Sequence, residues 1–408
     1  MKKRVALFPG QGAQYVGMCK KLCEEFQTAR NTFEEANDIL SFDLKKLCFS
    51  GDIKELTNTE NAQPAILTAS VASYRVLKEK TDLKIHYMAG HSLGEISALT
   101  CSGAINFGDA VRIVRKRGEL MGNISKGYSG QMSAIGKLPR ELVEKVCEEV
   151  SRPECIVCVS NYNSPKQNVI SGHKDAVGAV EKKLATLGAS IKRLNVSAPF
   201  HSPLLEPVAS VFGEYLKNYT YNSPSCIVLS NVTARPYEKD DIIEKLTKQI
   251  VSPVRWQDSM QYLIKQGVGI TIDVGPGKVL RNLSTANARF IKALSYDVSD
   301  DAIDLENLIK NNPVIPFVSR CMGLAVSTKN MCKNENDYER GVVIPYRQLQ
   351  MMQEKINSEG RNADTDEMFK ARNLLINIFN AKGVSPEEQD IRLKRLYTDT
   401  DTEALFIA

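Results

Sequence analysis

The sequence predicts an α/β chain. A mostly parallel sheet carries helices on both faces, a small subdomain is inserted into it, and a mainly helical C-terminal extension follows. Three observations lead there. Over about the first 295 residues, short apolar runs alternate with longer stretches of helical spacing, as where parallel strands are joined by crossover helices. Between 127 and 197 the order of patterns changes to β-α-β-β-α-β. Beyond about 297 helical patterns dominate. A length of 408 residues suits two or three domains. The expected division is a large subdomain over 1–126 and 198–296, an inserted one over 127–197, and an extension over 297–408.

Taken in order, Val5–Phe8 is β-rich and runs into Pro9-Gly10. Pro64–Leu77 has helical spacing, with Ala65, Leu67, Ala69 and Ala72 among its apolar positions. His86–Ala89 is a second β-like run leading to Gly90, and Glu95–Cys101 is helical. Asp109–Met121 reads as a helix with a basic outer face. In the insertion, Gln131–Ile135, Ile156–Asn161, Asn168–Ser171 and Ser190–Val196 read as strands, and Arg140–Val150 and Lys174–Leu187 as helices. That order is ferredoxin-like. In the extension, Asp297–Asp304 reads as an acidic connector, Asn311-Asn312-Pro313 as a break, and Val314–Ser327 as an apolar stretch with strand character. Met351–Gly360 and Asp366–Asn380 read as helices. Gly383 stops a helix, and Ser385 caps the next. Pro386 takes that helix's first position, and Glu388 closes a capping box. The closing residues alternate charges with leucine, which predicts a surface or partner-facing helix.

Composition excludes several function classes. At 43% hydrophobic and 25% charged residues, the chain is neither disordered nor in need of metal or disulfide staples. A net charge of +5, one tryptophan and no dense basic run argue against nucleic acid. Ten cysteines at irregular spacings point to a reducing compartment, so a cytoplasmic location is expected. Cys155 and Cys158 have no second CxxC to complete a zinc site and read as packed thiols, so no metal is expected. Lys2, Lys3 and Arg4 precede an apolar run of only Val5–Phe8, too short for a signal peptide. No segment is long and apolar enough to span a membrane.

The sharpest local signal is Gly90-His91-Ser92-Leu93-Gly94, a G-x-S-x-G elbow between a β-like run and a helix. Its glycines allow a tight strand-to-helix turn that projects the Ser92 hydroxyl. The helix behind it offers free N–H groups and the positive end of its dipole to a developing oxyanion. Serine needs a base, and the histidines are His86, His91, His173 and His201. His91 lies inside the elbow and should point away from Ser92. His201, in the Pro-flanked segment Ser197–Pro203, sits on a rigid loop suited to a general base and is preferred, with the others still open. No Asp or Glu stands out as a third member, so a backbone carbonyl could orient the imidazole in a Ser–His dyad. Pro9-Gly10-Gln11-Gly12-Ala13-Gln14 does not fit a phosphate loop and is better placed as a second oxyanion donor. Asp273-Val274-Gly275-Pro276-Gly277-Lys278 reads as a turn between strand and helix. Arg117, beside Arg115 and Lys116, reads on composition as part of a solvated basic face. The competing role is a bidentate clamp on a substrate carboxylate.

Together the segments resemble malonyl-CoA:acyl-carrier-protein transacylases and the related acyltransferase domains of polyketide synthases. The resemblance covers residues 4 to about 295. It runs through Phe8–Gln14, Gln63-Pro64-Ala65, Gly90–Glu95, Arg117-Gly118 with Met121, Asn161–Pro165, Ala198–Ser202, Ser230–Thr233 and Asp273–Lys278. It implies an α/β-hydrolase-like large subdomain with a ferredoxin-like small one. It further implies that Ser92 is the nucleophile, His201 its base and Arg117 the ligand of the malonyl carboxylate. Backbone N–H groups of Gln11 and Leu93 would form the oxyanion hole, and Gln63 and Asn161 would be pocket neighbours. The carbonyl that orients His201 would come from Gln249–Val251. Val251-Ser252 departs here from the aromatic and Asn that family members often carry. Phe200 before His201 resembles the malonyl-selective pattern, since an aromatic there crowds an α-methyl group.

The implied reaction moves a malonyl or malonyl-like group from coenzyme A, through an acyl-Ser92, to the phosphopantetheine thiol of an acyl carrier protein. No cofactor of its own is implied, because the phosphopantetheine belongs to the partner. The segment Pro316–Asn330 resembles the extension of stand-alone acyltransferases that serve polyketide synthases. It tilts the expected pathway towards polyketide or hybrid peptide–polyketide assembly over fatty-acid synthesis, against the view that the tail is an appendage without pathway meaning. An acyl hydrolase that clears stalled carrier proteins is the alternative, but such relatives lack the arginine. A non-catalytic docking protein fits poorly with Ser92 and His201 both present.

Overall fold

In a computed structural model, which describes residues 3–406 apart from 82, 125–129, 197, 239, 312–315 and 401, nine strands are placed. They are β1 (Lys3–Phe8), β2 (Tyr87–Gly90), β3 (Gly130–Gly136), β4 (Val157–Ser164), β5 (Gln167–His173), β6 (Ser190–Arg193), β7 (Ile227–Leu229), β8 (Val268–Asp273) and β9 (Lys292–Ser295). The chain divides into two compact units, 2–309 and 310–408.

The first unit is built on a parallel sheet of order β7-β2-β1-β8-β9. Val5, Ala6, Leu7 and Phe8 are all fully buried. A strand covered on both faces needs such an unbroken apolar run. Register brings Phe8 beside Gly90 and Leu7 beside Asp273. The loops leaving the carboxyl ends of β1, β2 and β8 therefore lie side by side, the usual place for a site on a parallel sheet.

The helix Thr59–Lys80 packs against Phe107–Asn123. Pro64 lies inside the first and lacks the N–H that would bond the Glu60 carbonyl. That carbonyl instead accepts from Arg115 on the second helix at 3.0 Å. A Cβ on Gly118 would come within 2.7 Å of Glu60 Cα, so the two helices meet closely only because this residue is glycine. This approach brings Arg117 to Gln63.

The remaining strands form an antiparallel sheet of order β4-β5-β3-β6, backed by helices Arg140–Val150 and Lys174–Thr186. Ile135, Val143, Ile170, Val177 and Leu184 form its core. β6 ends at Arg193, short of the expected Val196, and 127–129 and Ser197 at the expected limits lie outside the described residues.

Beyond β9 the structure differs from expectation. The acidic run Asp297–Asp304 is largely helical, within Ser299–Asn311. Its carboxylates are tied to the first unit by Arg281–Asp301 at 2.8 Å and Lys292–Asp304 at 3.1 Å, and Leu305 is buried in the main core. The first unit thus extends past 297 to 309. Asn312 and Pro313 of the expected break lie outside the described residues, as do Val314 and Ile315. Phe317–Ser327 is a helix rather than a strand. Its buried residues Phe317, Val318, Cys321, Leu324 and Ala325 recur at helical spacing.

The second unit packs this helix with Ile344–Ser358, Thr365–Ala381 and Pro386–Thr400 around Leu349, Leu375, Ile378, Phe379 and Leu396. The closing helix is therefore core-forming on the face that carries Leu396 and Tyr397. The Glu388 N–H bonds Ser385 Oγ at 3.3 Å, but the Glu388 carboxylate takes Arg392. A complete capping box stands instead at Asp364 and Glu367. Among the described residues, no helix is long and apolar enough to cross a membrane.

Candidate active site

β2 ends at Gly90, and the chain turns directly into the helix Leu93–Cys101. The turn is crowded. A Cβ on Gly90 would stand 1.8 Å from the Gly94 carbonyl carbon, and one on Gly94 would stand 1.9 Å from the Phe8 carbonyl oxygen. Ser92 is forced to φ 52°, ψ −112°. Such a backbone costs about 1–3 kcal/mol and persists only where its surroundings over-determine it. Asn231 supplies much of that constraint. Its Oδ1 accepts from the Ser92 N–H at 2.7 Å, and its Nδ2 donates to the Gly90 carbonyl at 2.6 Å.

Ser92 Oγ lies 2.7 Å from His201 Nε2. His201 Nδ1 lies 2.8 Å from the Gln249 carbonyl oxygen. A carbonyl only accepts, so Nδ1 carries the proton and Nε2 presents its lone pair to the serine hydroxyl. His201 is buried and itself sits at φ 57°, on the loop after Pro199. Burial, then the nearby Arg117 charge, pushes its pKa down to about 3. The imidazole is thus held neutral, as a base must be before it accepts.

The other histidines are engaged elsewhere. His91 Nε2 pairs with Asn163 Oδ1 at 2.8 Å, its ring against Trp256. His86 Nδ1 accepts from the Arg4 N–H, and His173 Nδ1 from the Ile156 N–H.

Arg117 is 2% exposed, which overturns the solvated reading. Its neighbours on the helix are half-buried: Arg115 pairs with Glu119 and bonds the Glu60 carbonyl, and Lys116 lies over the Tyr215 ring. The Arg117 guanidinium donates to Gln63 Oε1 at 2.9 Å, to Gln249 Oε1 at 2.8 Å and to Ser92 Oγ at 3.3 Å. These acceptors are all uncharged, and Nε has no hydrogen-bond partner among the described residues. Burial lowers its pKa to about 10, still well above neutrality. A buried cation with neutral partners is costly, and a ligand carboxylate would offset that cost.

A cavity of about 470 Å³ opens over Ser92, between the loops of the parallel sheet and the antiparallel sheet. Gln11, Leu93, Asn161, Phe200 and Met121 line it together with Arg117 and His201. Leu93 opens its helix, so its N–H has no intrahelical partner. The Gln11 side chain turns to Thr59 Oγ1. Gln63 is buried behind Arg117, and Asn161 accepts from Ser160.

Three residues escaped the sequence reading as site members: Glu95, Gln249 by its side chain, and Asn231. The first and last stand in the segments Gly90–Glu95 and Ser230–Thr233, which were the available signal. Asp273, by contrast, caps the helix after β8 through the Leu280 and Arg281 N–H groups, consistent with a strand-to-helix turn. Among the described residues, no group of three or more His, Cys, Asp or Glu could hold a metal ion.

The acyl transferase domain model matches residues 5–296. A malonyl CoA-acyl carrier protein transacylase of Bacillus subtilis is 38% identical over 395 residues, covering 95% of this chain and 99% of its own length. The likeness to that relative therefore extends well into the C-terminal extension. A second, from Bacillus subtilis strain 168, is 43% identical over 304 residues, 74% of this chain and 94% of its own. Among solved structures, a malonyl-transacylase in complex with its type II PKS acyl-carrier protein superposes with a TM-score of 0.72 at 37% identity, covering 75% of this chain and 99% of that one. FabD from Acinetobacter baumannii gives 0.73 at 38%, covering 76% and 99%.

Proposed function

The chain belongs to the acyl transferase family, among the malonyl CoA-acyl carrier protein transacylases, and from that premise we propose how its own residues carry out malonyl transfer. The enzyme is an acyl-carrier-protein S-malonyltransferase. Malonyl-CoA enters with its carboxylate on Arg117 and its thioester carbonyl over Ser92. As Ser92 Oγ attacks the carbonyl carbon, its proton passes to His201 Nε2. The carbonyl oxygen becomes an oxyanion held by the Gln11 and Leu93 N–H groups, at the positive end of the elbow helix. The tetrahedral intermediate collapses, the C–S bond breaks, and the coenzyme A thiolate leaves with the proton from His201. The carrier's phosphopantetheine thiol then repeats the sequence in reverse. His201 takes its proton, sulfur attacks the ester, and Ser92 leaves with the proton restored.

One observation carries the substrate assignment: a buried guanidinium with no bonded anion among the described residues lies 3.3 Å from the nucleophile's oxygen. Only a short acyl chain places an ester on Ser92 and a carboxylate on Arg117 at once, and malonyl has one methylene between the two. Holding both ends in one pose favours the waiting thiol over random attack by water. Phe200, buried beside His201, narrows the space for an α-substituent. This reading needs no resident cofactor. Ten cysteines at irregular spacing support a reducing, cytoplasmic setting. Service in trans to a polyketide or hybrid assembly line is supported by the extension beyond the acyltransferase core and by the likeness to a malonyl-transacylase solved with a type II PKS carrier. The test is a steady-state comparison of transfer and hydrolysis, with malonyl-CoA and a phosphopantetheinylated carrier protein. Transfer should dominate. Release of free malonate as the main product would favour the hydrolase.

A further inference from the structure

We infer that Glu95, through the side chain of Gln249, is a positioning residue that sets Arg117 for malonyl. The inference rests on the reading of Arg117 as the malonyl clamp. Glu95 is fully buried on the helix that follows the nucleophile. One of its oxygens accepts from the Gln249 Nε2–H at 2.5 Å. The other accepts from the Asn231 N–H at 3.1 Å and from the Tyr237 hydroxyl. Gln249 Nε2 also donates to the Ser92 carbonyl at 2.9 Å, while its Oε1 accepts from Arg117 at 2.8 Å. Its main-chain carbonyl accepts from His201 Nδ1.

An amide has one donating and one accepting end, and its surroundings choose which way it points. Turned over, Gln249 would set its NH₂ against the N–H groups of Arg117 and its oxygen against both the Ser92 carbonyl and a carboxylate. A carboxylate can only accept, so Glu95 fixes the polarity of the amide. Burial raises the Glu95 pKa to about 7, and the bonds from Tyr237, Gln249 and Asn231 oppose that rise.

The same arrangement explains how a buried arginine stays available. Glu95 is the acidic group whose charge acts on Arg117, yet it does so across the Gln249 amide rather than by a direct pair. A direct pair would occupy the fork that a substrate carboxylate needs. With Gln249 interposed, the guanidinium donates to the neutral acceptors Gln249 Oε1, Gln63 Oε1 and Ser92 Oγ, and among the described residues no carboxylate bonds to it.

The experiment measures kcat/KM for malonyl-CoA and for acetyl-CoA in the full-length wild type, Glu95→Gln, Gln249→Met, the double variant and Arg117→Ala. Thermal stability is followed alongside. The expected result is a tenfold or larger fall in the malonyl-to-acetyl ratio for Glu95→Gln and for Gln249→Met, with the double variant within twofold of Gln249→Met. Such non-additivity marks two residues acting as one unit. A merely structural Glu95 would lower both substrates in proportion, and its loss would multiply with that of Gln249; either result overturns the inference. Gln249→Met keeps the main-chain carbonyl and nearly the side-chain volume. An unchanged ratio in that variant alone also overturns it, should Glu95→Gln fold poorly. If Arg117→Ala abolishes the malonyl preference while the other variants keep it, only this inference fails. If Arg117→Ala leaves the preference intact, the clamp reading itself falls.

Discussion

Replacing Arg117 by alanine separates the clamp from the chemistry. The change removes a guanidinium that reaches Gln63, Gln249 and Ser92 Oγ, and leaves the Ser92–His201 bond in place. In the ligand complex it leaves the malonyl carboxylate without its buried counter-charge. Truncating one partner of a buried, hydrogen-bonded charge pair costs about 2–5 kcal/mol, which is roughly 30- to 5000-fold in kcat/KM. Acetyl-CoA carries no carboxylate, so its use should change far less. Gln63 Oε1 and Gln249 Oε1 lose a donor, at about 1–3 kcal/mol for each left unsatisfied. The loss of a desolvated cation opposes that cost, so thermal stability should move less than the malonyl rate. Lysine should rescue only in part, as a point charge without the planar fork. The assay is the ratio of kcat/KM for malonyl-CoA over acetyl-CoA. An equal loss for both substrates would refute the reasoning.

Other outcomes follow from the same geometry. His201→Ala should slow acylation of Ser92 by roughly 10²–10⁴-fold, the usual worth of a general base, as read by single-turnover kinetics; a change below tenfold would move the base elsewhere. Because burial and Arg117 hold the His201 pKa near 3, below the value of about 6.5 for a free histidine, the neutral base persists as pH falls through 6.5. In Glu95→Gln, which removes the one neighbouring carboxyl that burial raises to about 7, the rate of Ser92 labelling by an uncharged fluorophosphonate should therefore show no histidine limb between pH 5 and 7, and a limb centred near 6.5 in that variant would contradict the burial argument. Gly94→Ala should destabilise the chain, since its Cβ would overlap the Phe8 carbonyl at 1.9 Å and backbone must move; an unchanged melting temperature would contradict the crowded elbow.

Much of the site is local in sequence and was legible there. The elbow declares itself because a tight strand-to-helix turn needs its two glycines, and the structure gives each glycine a backbone atom that a Cβ would strike. His201 was favoured by its Pro-flanked loop. Arg117 was another matter: composition placed it on a solvated basic face, and only the ensemble of motifs pointed to a carboxylate. Its burial depends on Pro64 and Gly118, which let two helices meet; neither residue's effect can be read from one helix alone. The Glu95–Gln249 bond joins residues 154 apart, beyond the reach of any local pattern. The departure at Val251-Ser252 left the orienting carbonyl open, and the fold places it at Gln249. In the extension, the apolar content of 314–327 suggested a strand, while the spacing of its buried residues is helical. Period was the better guide than composition.

The central claim is a malonyl group carried on Ser92 between two thiols. Intact-protein mass spectrometry after brief mixing with malonyl-CoA tests it directly. The wild type should gain the mass of one malonyl group, mapped to the peptide that holds Ser92. On adding phosphopantetheinylated carrier protein, that mass should pass to the carrier. Ser92→Ala should fold and gain nothing. A malonyl adduct that persists in Ser92→Ala, or one that leaves the wild type as free malonate while the carrier stays unloaded, would contradict the account.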